Sequence, residues 1–241
     1  MVILINNLLI ISFLLSSVLL PLVVVSSSVN CPTRSPHTKP NLGGVENSHL
    51  GGWKLSFPRP RPYYAAGLHS DAFTNEQRRI LWEMVVERTF ENYNSLCWVT
   101  QNLYFPFLVV EPVHGSYGDA EDRNTANVLI AMRGTVELFR LARREQEICR
   151  EILAFSGIFT HSWIRIFAHF ADGLEGGETP RFYYHEVFKS MFPEDKWTSC
   201  PEDKWASYKF VKNIYKVWAP MHHKRICSAI ETVANLSESS S

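Results

Sequence analysis

Hydrophobic positions along this chain keep a helical period in some stretches and a strand-like period in others, and the changes of period divide it into elements. From Thr74 onward, Ile80, Leu81, Met84 and Val85, with Trp82, Val86 and Phe90, recur at helical spacing and predict a helix to about Tyr93. Thr74 and Gln77 stand three apart, the spacing of a reciprocal cap at a helix start. Leu96 to Thr100 and Leu103 to Glu111 predict two strands across Gln101-Asn102. The second is apolar on both faces at Leu108-Val109-Val110, as a strand covered on two sides must be, and it ends on a carboxylate.

Ala120 to Leu153 is expected to be predominantly helical, with Leu138, Leu141, Ala142, Ile148, Cys149, Ile152 and Leu153 on one side. Arg140, Arg143, Arg144, Glu147 and Glu151 occupy the other. Ile152 to Phe159, Trp163 to Phe170 and Arg181 to Val187 are aromatic and β-branched, and Asp172-Gly173 and Gly176-Gly177 punctuate them. They read as a three-stranded meander. Pro193 to Trp197 recurs as Pro201 to Trp205, a local duplication. Ser199 and Glu202 are spaced as a cap for a helix that buries Trp205, Tyr208, Val211, Ile214, Tyr215 and Trp218, with Lys209, Lys212 and Lys216 opposite. Pro220 is expected to break it, and a last helix runs through Ile226, Ile230 and Val233.

The ends carry different signals. Leu8 to Val25 is a nearly continuous apolar run followed by Ser26-Ser27-Ser28, the small residues favoured before a secretory cleavage site. No Lys or Arg precedes the run, whereas Arg34 and Lys39 follow it, the reverse of the usual charge order. Residues 1–29 thus have three readings: a secretory signal, an uncleaved anchor that touches membrane through Leu8–Val25, or an artefact of the gene model. The first two place the protein in the secretory pathway or at a membrane, the third in nucleus or cytoplasm. Residues 30–62, rich in Pro and Gly and ending Pro58-Arg59-Pro60-Arg61-Pro62, read as a linker. Residues 63–234 form the expected domain and 235–241 a Ser-rich tail.

Composition narrows the classes. The 241 residues are 46% hydrophobic, enough for one sizeable core, and 24 basic side chains balance 24 acidic ones. No global field draws the protein to a polyanion, although a local patch is compatible with that balance. The five cysteines, Cys31, Cys97, Cys149, Cys200 and Cys227, form no CxxC pair, which argues against a zinc site. Cys97, Cys149 and Cys227 sit in apolar patterns and read as buried free thiols. His161 and His169 share a strand face but stand eight residues apart, too far for one ion.

Glu111 is the chemical focus, because an apolar strand that finishes on an acid tends to present it to a metal or substrate. In metal-dependent phosphodiester hydrolysis the acid of a Glu-x-Lys unit holds Mg²⁺ and the lysine positions the attacking water, but here the lysine position is Val113. Several segments together resemble a fungal family of uncharacterised proteins related to PD-(D/E)XK nucleases. They are Ala72-Phe73-Thr74, Tyr104 to Leu108 with Glu111, Arg133-Gly134, Val136 to Arg140, Arg150 to Ser156, Lys204-Trp205 through Trp218-Ala219-Pro220, and His223 to Ile230. The likeness spans about Pro60 to Val233, and its C-terminal part is the most specific.

The resemblance implies a restriction-endonuclease-like α/β (α+β) fold, a mixed central sheet flanked by helices, with Glu111 as catalytic and metal residue and Mg²⁺ as the cofactor of an active member. Relatives of that kind have Pro-Asp where this chain has Pro62-Tyr63, Glu-x-Lys where it has Glu111-Pro112-Val113, and Gln where it has Arg123. Loss of two charged groups that work as a unit costs several powers of ten in rate, so the expectation is a nuclease-like pseudoenzyme that binds nucleic acid or protein without cutting. The alternative is an active nuclease in which Glu91, Asp71, Asp119 or Glu121 supplies the second acid and Arg123 the cation. From another class comes a secreted or membrane-anchored interaction protein with a Pro-rich stalk.

Overall fold

The structure is a computed structural model, and it describes residues 23–27, 62–89, 98–100, 103–174, 179–191 and 201–239. Seven strands build one mixed sheet: β1 (Val23–Ser27), β2 (Tyr64–His69), β3 (Trp98–Thr100), β4 (Leu103–Pro112), β5 (Ile152–Phe159), β6 (Trp163–Asp172) and β7 (Arg181–Met191). They run in the order β1-β2-β4-β5-β6-β7, with β3 paired to the start of β4. The helices are α1 (Asn75–Thr89), α2 (Tyr117–Leu141), α3 (Pro201–Asn213) and α4 (Ala219–Glu238). The fold is α+β.

Among the described strands only β4 and β5 pair in parallel, through Leu108↔Phe155 to Pro112↔Phe159, and α2 is the crossover that parallel pairing demands. Neighbouring residues of β5 show that both faces of the sheet are covered. Ser156 meets Asn124 of α2, while Phe155 packs against Phe210 of α3 and Trp218. The two-sided apolar run at Leu108 to Val110 is explained by that sandwich. The expected meander is present as β5, β6 and β7, joined antiparallel.

Pro106 lies inside β4, where a missing N–H would cost a ladder bond. The pairing with β2 shifts register there, between Ala66 and Leu68, and Phe105 takes a positive φ of 42°. Gly67 is required opposite, because a Cβ at that position would stand 2.7 Å from the Tyr104 carbonyl oxygen.

Two boundaries differ from the periodicity. The long helix stops at Leu141 instead of reaching Leu153, although the apolar spacing continues. Arg143 takes the left-handed conformation (φ 57°), and the amides of Arg143 and Arg144 bond back to the carbonyls of Arg140 and Phe139. That is the two-bond closure usually built on glycine, so an arginine in its place concealed it. Pro220 does not break the C-terminal helix either. It sits in the first turn of α4, where a missing N–H is least costly, and the five residues Ile214–Trp218 form a π turn that joins α3 to α4. Within the expected stripe Ile214 and Tyr215 are buried, but Trp205 is 55% exposed.

The cap at Thr74 is reciprocal as expected: the Thr74 amide donates to Gln77 Oε1 (3.0 Å) and the Gln77 amide to Thr74 Oγ1 (3.2 Å). The Ser199 cap, the first copy of the duplicated segment and most of the 30–62 stretch lie outside the described residues. Val23–Ser27, the end of the N-terminal apolar run, pairs antiparallel with β2 from Val23↔Leu68 to Ser27↔Tyr64. Among the described residues no helix is long and apolar enough to cross a membrane.

Val109 is 1% exposed between β2 and β5, so Val109→Asp would bury a charge with no partner. The expected outcome is loss of the cooperative thermal transition, measured by far-UV circular dichroism.

Candidate functional site

α2 carries a helical stripe of Ala120, Val128, Ala131 and Met132 against the sheet, but Asn124 and Asn127 interrupt it. Both amides are buried, and buried amides must find partners. Asn127 Nδ2 donates to Glu111 Oε1 (2.8 Å), and Asn124 Nδ2 donates to Ser156 Oγ (2.7 Å). Helix and sheet are thus joined by two polar contacts one turn apart.

Glu111 stands one residue before the end of β4 and is 4% exposed. Its Oε1 also accepts the backbone N–H of Tyr63 (3.1 Å), and its Oε2 faces Arg123 Nε at 3.6 Å. Arg123 Nη2 reaches on to the Pro112 carbonyl oxygen (3.4 Å), so the guanidinium lies over the strand end. Burial is the largest influence on the carboxyl and raises its pKa; the Tyr63 N–H, Arg123 and Asn127 pull it back without cancelling that rise. Tyr63, Glu111 and Arg123, the positions to which the resemblance points, therefore meet at one carboxylate. Val113 does not extend the polar set: it packs with Tyr117 on the apolar cluster of Ala120, Ile158 and Phe167.

On the inner side, Ser156 Oγ lies 2.7 Å from His169 Nε2. Asn124 donates to that same oxygen, so the Ser156 hydroxyl joins the amide to the imidazole. Burial lowers the His169 pKa to about 3, so the ring is neutral. Ser156 is fully buried, and this Asn-Ser-His line is a packing network instead of a nucleophilic site. Asn124 Oδ1 has no partner, which makes it the strained point of the network.

The other proposed acids do not gather here. Asp71 is exposed and pairs with His69 and Arg78; Glu121 accepts from Tyr184 Oη (3.4 Å); Asp119 lies exposed in the first turn of α2; Glu91 is outside the described residues. No carboxylate is among the groups that perturb Glu111. Among the described residues no three His, Cys, Asp or Glu side chains gather as a metal set. His161 is exposed and His169 buried, so they are no pair.

Cys227 Sγ lies 3.2 Å from His223 Nε2, but that nitrogen also stands 2.9 Å from the Ala72 carbonyl oxygen and so carries its proton there. Burial raises the thiol to about 11, the reverse of an activated nucleophile. Cys149 faces Asp172, and both described cysteines are free thiols; Cys31, Cys97 and Cys200 lie outside the described residues. Sequence reasoning found Glu111 and Arg123 but missed Asn124, Asn127 and Ser156. The available signal was two asparagines on an otherwise apolar helix stripe.

Fold and site together define an α+β domain organised around a buried strand-end glutamate. The chain belongs to the family described as a domain of unknown function, DUF7924, whose model matches residues 15–230. The match opens inside the N-terminal apolar run and continues through the Pro- and Gly-rich segment. No curated protein and no solved structure matches the chain.

His169 and His222 are both buried, with pKa values lowered to about 3 by burial. Their unfolded value is 6.5, so below that pH the unfolded chain binds protons that the fold refuses. Stability should be full above about pH 6.5 and fall by up to ~1.4 kcal/mol per pH unit for each histidine down toward pH 3. The raised carboxyl of Glu111 contributes in the opposite sense: its stabilisation is full below the ordinary glutamate value of 4.5 and is lost as pH rises from there through its raised folded value. Urea midpoints across this range check the slope, and His169→Gln with His222→Gln should flatten it.

Proposed function

We propose that this chain is a catalytically degenerate PD-(D/E)XK nuclease-like domain that has kept the scaffold and one acid and binds nucleic acid or protein without hydrolysis. The observation that carries the reading is the convergence of positions 63, 111 and 123 around one carboxylate. Those are the places where the resembling family has an aspartate, a glutamate and a glutamine. Here residue 63 offers Glu111 a main-chain N–H, position 113 is apolar, and Arg123 supplies a fixed positive charge.

The physical consequence is substitution of one cation for another. Mg²⁺ demands near-octahedral oxygen ligands and keeps several waters, and it is usually held by one or two carboxylates. Glu111 offers one oxygen already taken by two N–H donors and a second facing a guanidinium. A metal bound through Oε2 would have to displace Arg123, and among the described residues no second carboxylate stands by to compensate. An active nuclease with migrated residues is the competing reading, and Arg123 is then its cation.

Incubation with Mg²⁺ or Mn²⁺ and single- or double-stranded DNA separates the two. No cleavage above background is expected, and neither ion should shift the melting temperature. Cleavage that disappears in Glu111→Ala would overturn the inactive reading.

A further inference from the structure

Between Asp203 and Glu231 the chain contains no acidic residue but carries Lys204, Lys209, Lys212, Lys216, Lys224 and Arg225. Because the whole chain is balanced at 24 and 24, the remainder is acidic by six charges, and positive charge is segregated onto one helical element. Arg225 is committed to the Glu147 carbonyl and to Glu151, and Lys212 lies over the Tyr208 ring. Lys209, Lys216 and Lys224 are exposed, and among the described residues no carboxylate pairs with them.

The same outward strip exposes large apolar side chains. Trp205, Val217 and Met221 are each 55% exposed. In order along α3, the π turn and α4, the strip reads Trp205, Lys209, Asn213, Lys216, Val217, Met221, Lys224, at steps of one to four residues, and it is about 30 Å long. The opposite side of these helices is already buried through Ile214, Tyr215, Ala219, Ile226 and Ile230. The strip is therefore a surplus surface, not the core face.

We infer that this strip is a docking surface for an anionic lipid bilayer, with Lys209, Lys216 and Lys224 at the headgroups and Trp205, Val217 and Met221 entering the interface. A bilayer satisfies both features: lysine stems lie along apolar surface while their ammonium groups stay in the headgroup layer, and tryptophan prefers that boundary. A nucleic acid backbone would neutralise the lysines but leave Val217 and Met221 in water. The acidic remainder of the chain is repelled by such a surface, which orients the protein strip-first. The inference is independent of the nuclease-like reading.

The test uses the full chain and sedimentation with vesicles of phosphatidylcholine, with and without phosphatidylserine. Binding is expected only with phosphatidylserine, weakening with salt. At about fivefold per lysine, the triple variant Lys209→Glu, Lys216→Glu, Lys224→Glu should lose more than about a hundredfold. Trp205→Ser with Met221→Ser should weaken binding while the salt dependence remains. All five positions are exposed, so unchanged circular dichroism should accompany both effects. Equal binding to neutral vesicles, no binding at all, or a triple variant that binds as before would overturn the proposal. Duplex DNA bound through the same lysines, without help from Trp205 or Met221, would also overturn it and assign the strip to nucleic acid.

Discussion

A carboxylate cannot be taken out of water without partners, and the arrangement around Glu111 follows from that cost. The side chain sits near the end of a strand buried from both sides, so its partners must come from elements that pass close by. One is the chain entering β2, whose Tyr63 N–H reaches Oε1; the other is α2, which brings Asn127 and Arg123. These contacts fix how the helix lies on the sheet and where the first residues of β2 meet β4. The Asn124 to Ser156 contact one turn away fixes the same helix a second time.

Much of this framework was legible. The uniformly apolar run before Glu111 announced a central strand, the Thr74-Gln77 pair announced a helix start, and the aromatic segments announced three antiparallel strands. What the periodicity hid was backbone behaviour that side-chain pattern does not encode. Arg143 ends α2 in a conformation that glycine normally signals, and the π turn at Ile214–Trp218 accommodates a proline that normally signals a stop. In both places the apolar stripe continued through the irregularity, so period alone could not find it.

The candidate site was legible as a focus but not as a chemistry. Glu111 and Arg123 were both named from the sequence, and they do meet. The other partners of Glu111 were invisible because one is a main-chain N–H, which no side-chain motif records, and the other is Asn127, whose meaning depends on which face of the helix it occupies. Tyr63 contributes through its backbone N–H, a contact that does not depend on which side chain the position carries. Val113 shows the converse: the side chain two residues past Glu111 packs into a small apolar cluster with Ala120, Ile158 and Phe167 and adds nothing to the polar set.

The account's central claim is that Glu111 is a structural carboxylate, buried and already served by protein donors. Its ionisation can be followed directly by NMR titration of carboxyl resonances, with Glu111→Gln assigning the signal. The account predicts a pKa above the ordinary glutamate value of 4.5 that stays where it is when Mg²⁺ is added. A value pulled down by Mg²⁺ would show a carboxylate open to metal, and would contradict it.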